Sequence, residues 1–341
     1  MNGEAGPATD ESYPPDSGPA LSAAVVIPTY NRPDRLRSCL AHLESQTLKP
    51  ERVVVVDSST DDRAAQLVQP MSEVTYVRNP LGRGHTAESR AIGSSLCRED
   101  IIAFLDDDAD AREDWLEHLV AAFHDETVGG VGGCALNGIE GEREQGLGAV
   151  GRLLPDGRFT GNFAADTGRD VDVDHLLGAN MAYRRAAIER IGGIHGGYPG
   201  TCMREESDIA LRVRRAGYRL VYTPTAVVDH RPGTYAKGSR FDKRYVYFAN
   251  RNSVVLFGRI YGLGSPISRR FLYTQLREAG LQARAGMHAL LRDREAKPSK
   301  RVRGFLGRGA TAAAVLAGIA AGVPAAMRWR RMDRKNVRAD G

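Results

Sequence analysis

The sequence has few cysteines and lacks the usual glycine-rich phosphate loops. Its four cysteines form no CxxC pair, which argues against a zinc or redox site and favours a reduced, cytoplasmic protein. No GxGxxG or GKT loop follows the first apolar run, which argues against a nucleotidyltransferase. Residues 1–20 are rich in Gly, Pro and acids and have no apolar segment typical of a signal peptide. We therefore predict a disordered leader there.

Long apolar runs are also scarce, and the excess of positive charge is confined to one end of the chain. The net charge is +5, and basic residues crowd the last segment, but no aromatic residues interleave with them as in a nucleic-acid surface. Residues 310–327 carry no charge, yet they are mostly Ala and Gly, which favours a packed or interfacial helix over a membrane span. We expect 236–341 to form a helical extension that contacts the inner face of the cell membrane peripherally. A solvated tail is the alternative.

Between these ends, the pattern is that of an α/β protein. Continuous apolar strands alternate with amphipathic helices, which predicts a mainly parallel central sheet flanked by helices. The predicted strands of the first half are 23–27, 52–56, 74–78, 101–105 and 128–136. We predict one domain over 21–235, with a nucleotide-binding half at 21–136 and an acceptor or catalytic half at 137–235.

Polar clusters follow three of the predicted strands, at Thr29-Tyr30-Asn31, Asp57-Ser58-Ser59 and Asp106-Asp107-Asp108. Because ligands of such sheets bind beyond the carboxyl ends of the strands, we expect the three clusters to meet at one edge. In the third cluster, positions i and i+2 point the same way in extended chain, which pairs Asp106 with Asp108. Two close carboxylates favour a cation such as Mg²⁺ shared with substrate phosphates. A solvated acidic turn is the alternative.

Six short motifs occur in order over residues 25–230, about two thirds of the chain. They are Ile27-Pro28-Thr29-Tyr30-Asn31-Arg32-Pro33, Val56-Asp57-Ser58-Ser59, Asn79 with Gly82 and Arg90, Phe104-Leu105-Asp106-Asp107-Asp108, Leu177-Gly178-Ala179-Asn180, and Glu205-Glu206-Ser207-Asp208-Ile209. The ordered set resembles the inverting family 2 glycosyltransferases, which have the GT-A fold. The fourth motif is similar to that family's metal-binding DxD signature.

The resemblance implies a nucleotide-diphosphate sugar donor, Mg²⁺ or Mn²⁺ as the cofactor, and a role in cell-envelope polysaccharide synthesis. The residues that it assigns to the nucleotide are Pro28, Thr29, Tyr30, Asn31, Arg32, Asp57, Arg90, Asp106 and Asp107. Those that it assigns to the metal are Asp108, Asp106 and His230. Simpler roles stay open: a turn for Asp57, a surface ion pair for Arg90 and a structural role for His230.

The same resemblance implies that an acid at the start of a helix is the base that deprotonates the acceptor hydroxyl. This acid aligns with Glu206, but the sequence has Glu-Glu where the family has Glu-Asp, so Glu205 or Asp208 could serve instead. The three acids also suit a helix N-terminus electrostatically. The acceptor is expected to be a sugar, a lipid-linked compound or a small molecule. The rival functions are a nucleotidyltransferase that acts on sugar phosphates and a catalytically inactive carbohydrate-binding relative.

Overall fold

A computed structural model describes residues 21–231, 242–291 and 298–339, with side chains described up to Asp333. The predicted leader at 1–20 and the predicted domain boundary between 235 and 236 lie outside these ranges.

The described residues form one nine-stranded sheet with the order β3-β2-β1-β4-β8-β6-β9-β5, and β7 pairs with β9 outside this path. The strands are β1 Ala23–Thr29, β2 Arg52–Asp57, β3 Val74–Arg78, β4 Ile101–Leu105, β5 Ala109–Ala111, β6 Val128–Leu136, β7 Val171–Asp172, β8 Asn180–Arg184 and β9 Arg219–His230. The α/β class predicted from the sequence is confirmed.

The first four strands are parallel, as expected from their continuous apolar runs. The second half of the sheet is mixed. β8 inserts antiparallel between β4 and β6, whereas β6 and β9 pair in parallel. β9 is one strand with a register shift near Pro224, where the sequence predicts two short strands.

Helices cover both faces of this sheet. They are α1 Pro33–Glu44, α2 Arg63–Val68, α3 Thr86–Ser95, α4 Trp115–Ala121, α5 Arg185–Arg190 and α6 Glu205–Arg215. Alternate residues of β1 enter two separate apolar cores: Val25 and Ile27 pack with α1, while Ala24 and Val26 face the other layer. The carboxyl ends of the strands remain open, which leaves room for a site there.

The predicted extension forms three helices, α7 Lys243–Ile260, α8 Pro266–Leu291 and α9 Pro298–Ala339. Small residues let α9 approach α7 closely: a side chain at Gly318 would meet the Tyr247 carbonyl, and one at Gly322 would meet Val254. Between Pro298 and Asp333, α9 is long and apolar enough to cross a membrane by length and composition alone, and a third of its most apolar window is buried within the protein.

The far end of α9 is fixed to α7 by charge. Asp333 accepts two hydrogen bonds from the buried guanidinium of Arg259, at 2.9 and 3.0 Å. The same guanidinium donates to the Gly196 carbonyl at 2.9 Å and lies over the ring of Trp329. Through Arg259, α9 and α7 are therefore both joined to the loop that precedes α6.

Candidate active site

A cleft of about 820 Å³ opens at the carboxyl ends of the strands. All three predicted clusters contribute to it, through Thr29, Ser58 and Asp106 among others. Other predicted site residues that line the cleft are Pro28, Tyr30, Asn31, Arg32, Arg90, Asp108, Glu205, Glu206 and His230. The three clusters therefore lie together at one edge of the sheet, as expected from the sequence.

The loops that follow β1 and β2 are tied to each other. Asn31 adopts a left-handed backbone (φ 53°), which asparagine tolerates better than most residues. Its N–H donates to the Ser59 hydroxyl at 2.7 Å, and its side-chain oxygen accepts from the Thr60 N–H at 3.0 Å. These bonds fix the entrance of the cleft where the first two strands end.

Asp107 points into the protein and does not line the cleft. It is completely buried, accepts from the Thr29 hydroxyl at 2.7 Å and lies 2.6 Å from an Arg32 nitrogen. Burial raises the pKa of Asp107 to about 7, although the Arg32 charge and the Thr29 hydrogen bond oppose this shift. Asp107 therefore anchors the loop of Arg32 from beneath.

Asp108 faces the cleft beside His230. Its Oδ1 lies 3.6 Å from His230 Nε2, and its Oδ2 accepts from Arg32 at 2.5 Å. Burial alone would raise the pKa of Asp108, but the contact with His230 and the Arg32 charge outweigh burial and hold it below its ordinary value. His230 Nδ1 lies 3.2 Å from the Asn137 side-chain oxygen, which orients the ring. Across the described ranges, no group of three His, Cys, Asp or Glu side chains is arranged to hold a metal.

Asp106 is joined to α6 through Arg90. The buried Arg90 guanidinium donates to Asp106 Oδ1 at 2.8 Å and to the Gly178 carbonyl at 2.7 Å, and its other nitrogen pairs with the carboxylate of Glu205. In this geometry Arg90 is the partner of an aspartate, and its burial is at odds with the alternative of a surface ion pair. Arg90 thus connects α3, the strand end of β4 and α6.

The three acids of α6 differ in their surroundings. Glu206 is half-buried and lines the cleft, and the neighbouring Ser207 hydroxyl donates to it at 3.3 Å. Asp208 is completely buried away from the cleft, where it accepts from the Tyr198 hydroxyl and from Arg212 Nε, both at 2.7 Å. Arg204, just before the helix, has a left-handed backbone (φ 78°), a strained conformation that is common at functional sites.

Asp57 lies beneath the cleft rather than in its wall. Its carboxylate is completely buried and accepts from the Ser59 N–H and the Tyr76 hydroxyl, both at 2.8 Å, and it lies 3.2 Å from Arg78. These partners engage both carboxylate oxygens. A contact between Asp57 and the nucleotide would therefore require one of these partners to be displaced.

The sequence did not indicate that the extension lines the cleft. Asp242, Arg244 and Tyr245, at the start of α7, lie along one wall of it. Asp242 caps the helix by accepting from the Tyr245 N–H at 2.6 Å. An Asp before a helical pattern indicates the cap, but no local signal reveals what the first turn faces.

Comparisons with known proteins bear on the family and the fold of the chain. The sequence model of glycosyl transferase family 2 matches residues 24–192, and this match ends before α6. A pre-mycofactocin glycosyltransferase of Mycobacterium tuberculosis is 31% identical over 223 residues, which are 63% of this chain and 44% of that protein. A glucosyl-dolichyl phosphate glucuronosyltransferase of Haloferax volcanii is 28% identical over 226 residues, 62% of this chain and 69% of that protein.

Among solved structures, the mannosyltransferase PcManGT of Pyrobaculum calidifontis, in complex with GDP-Man and Mn²⁺, has a TM-score of 0.57 at 20% identity. The similarity covers 92% of this chain and 91% of PcManGT, so the two proteins share a fold that includes the helical extension. The chain spans less than half the length of its mycobacterial relative. On its motifs, its fold and the matched residues, the chain belongs to glycosyl transferase family 2.

Proposed function

We propose that the protein transfers a sugar from a nucleotide-diphosphate donor to an acceptor hydroxyl, with inversion at the anomeric carbon. The observation that carries this proposal is one cleft in which the strand-end acids Asp106 and Asp108 meet Glu206 of α6. Family membership supports the reaction class. In this proposal, Thr29 to Arg32 line the nucleotide, and Asp106, held by Arg90, contacts the donor.

A divalent cation fits beside Asp108. A carboxylate oxygen and an imidazole nitrogen are both acceptable ligands of Mn²⁺, and they lie 3.6 Å apart at the cleft wall. Such cations usually complete their coordination with water and substrate phosphates, so two protein ligands suffice. The ion would offset the charge that grows on the leaving nucleoside diphosphate. The complex of PcManGT with GDP-Man and Mn²⁺ supports this assignment.

Glu206 is the proposed base. A direct displacement needs a carboxylate at the acceptor side of the cleft, and Glu206 is half-buried there. It would accept the proton of the attacking hydroxyl as the bond between sugar and diphosphate breaks. Glu205 is already paired with Arg90, and Asp208 is buried behind the helix, so both are better suited to holding α6 in place.

The test begins with a thermal-shift screen of nucleotide-diphosphate sugars, since a donor that binds the folded state stabilises it by mass action. Hydrolysis of the donor found is then measured for Glu206→Gln and for Glu126→Gln, an exposed acid at the opposite end of the sheet. We expect Glu206→Gln to retain donor stabilisation and to lose turnover by about 100-fold or more, while the control is unchanged.

Full turnover in Glu206→Gln would exclude this residue as the base. Pyrophosphate release from a nucleoside triphosphate and a sugar phosphate, without hydrolysis of any nucleotide sugar, would favour the nucleotidyltransferase instead. Binding of sugars without turnover of any donor would favour the inactive carbohydrate-binding relative.

We also propose that the protein acts on the cytoplasmic side and contacts the membrane peripherally through α8 and α9. The basic excess of these helices supports this location. α8 carries four arginines and one glutamate, and α9 up to Asp333 carries seven basic residues and one acid. Such a surface is attracted to anionic lipid head groups.

A further inference from the structure

The exposed apolar side chains are concentrated on the extension. Of fourteen large hydrophobic residues that are exposed in the described part of the chain, ten lie on α8 and α9. Scattered exposed hydrophobic residues are normal, whereas a concentration of them on one face marks a contact surface.

One shallow, open groove lies on the extension. Its volume is about 690 Å³, and its apolar floor is formed by Val302, Leu306 and Ala310, which follow each other at intervals of four along α9. Val302 is 46% exposed and Leu306 is 60% exposed. The stripe extends about 12 Å along the helix, at 1.5 Å per residue. Two cations, Lys243 and Arg303, line the same groove.

The groove adjoins the cleft through a single turn of helix. Lys243 lines the groove, while its neighbours Asp242, Arg244 and Tyr245 line the cleft. The next residue, Val246, packs against Ala312 and Val315 of α9 and fixes this turn against the extension. A molecule that enters the cleft with one end can therefore rest its other end in the groove.

We propose that this groove binds the hydrocarbon chain of a lipid-phosphate acceptor whose head group enters the cleft. This inference rests on the proposed transferase activity and names the class of its acceptor. The apolar floor matches a hydrocarbon chain, and the flanking cations Lys243 and Arg303 match a phosphate diester or monoester. The exposed apolar face around the groove would let such a chain enter from a bilayer without crossing water.

Calorimetric titration of the full chain with decyl phosphate, below its critical micelle concentration, tests the groove directly. Two control ligands each carry half of this molecule: inorganic phosphate has the anion without the chain, and decanol has the chain without the anion. We expect decyl phosphate to bind at least tenfold more tightly than either. Leu306→Gln should weaken that binding roughly tenfold, because the substitution replaces the exposed apolar floor with an amide.

The matched control is Leu316→Gln, which changes another exposed leucine of α9, 48% exposed, outside the groove. Binding in this variant should equal that of the wild type. Equal weakening in both variants would mean adsorption on the apolar face as a whole, and no weakening in Leu306→Gln would also overturn the proposal. Sedimentation of the wild type and Leu306→Gln tests whether a second copy of the chain occupies the groove instead. Self-association of the wild type that is lost in the variant would assign the groove to that second copy.

Failure here is distinguishable from failure of the transferase proposal. The groove lies outside the donor cleft, so Leu306→Gln should be stabilised by the nucleotide sugar as strongly as the wild type. If the donor stabilises both proteins and decyl phosphate binds neither, the transferase proposal stands and the lipid-phosphate acceptor is excluded.

Discussion

Replacement of Arg90 by methionine should destabilise the protein by about 3–5 kcal/mol, the usual cost of removing one partner from a buried ion pair. The Arg90 and Glu205 side chains are only 2% and 4% exposed, so solvent cannot compensate for the lost partner. The substitution also removes donors from Asp106 and from the Gly178 carbonyl. Lysine cannot replace the three contacts, because its single nitrogen lacks the fork of the guanidinium.

The free energy of unfolding is measured by urea denaturation, followed through the fluorescence of the two tryptophans, Trp115 in the core of the sheet domain and Trp329 on α9. Arg63→Met removes an ion pair in which both side chains are exposed and should cost less than about 1 kcal/mol. The double variant Arg90→Met with Glu205→Gln no longer buries a lone charge and should recover about 2 kcal/mol.

Two outcomes would refute this reasoning. Arg90→Met could lie within about 1 kcal/mol of the wild type, which would mean that water reaches Glu205 or that α6 relaxes to expose it. Alternatively, the double variant could be no more stable than the single one, which would mean that the cost is lost packing rather than a buried charge.

Two further predictions concern the metal and pH. Asp108→Asn should raise the Mn²⁺ concentration for half-maximal donor hydrolysis at least tenfold, while Asp170→Asn, an exposed control, should not; an unchanged metal dependence would contradict the assignment. Burial lowers the pKa of His175 to about 4, so the folded state disfavours the proton that the unfolded chain binds below about pH 6.5. Stability should therefore be highest above pH 6.5 and fall by about 3 kcal/mol as the pH drops to 4. In urea denaturation measured at a series of pH values, His175→Gln should lose this part of the dependence of stability on pH. An unaltered dependence would exclude His175 as its source.

Five of the six strands of the first half could be predicted to within two residues, because their apolar and β-branched runs are bounded by polar turns, whereas the three-residue β5 was missed. Val53 to Val56 form such a run, and β2 begins and ends within a residue of it. The direction of β8 could not be predicted in this way. A short buried run such as Asn180–Arg184 looks the same in parallel and antiparallel pairing, and the choice depends on which strands it lies between.

In the candidate site, too, the positions of residues could be predicted but some of their contacts could not. Residues at strand ends, such as Asp106 and Asp108, were predictable because parallel strands bring their carboxyl ends together. The orientation of each side chain was not, since it depends on partners distant in sequence. Asp107 turns inward to Thr29, and Asp57 turns to Tyr76 and Arg78, which only the folded sheet brings close.

The packing of α9 on α7 has a consequence for synthesis on the ribosome. α7 forms one wall of the cleft, and its opposite face is buried by Gly318 and Gly322 of α9. The bond between Arg259 and Asp333 that secures this packing joins residues 74 positions apart. A nascent chain that has already completed the sheet therefore carries an uncovered apolar helix until α9 emerges. The cleft is thus completed by segments that are synthesised well after the sheet, and a premature stop before α9 would leave a folded sheet whose cleft wall lacks its support.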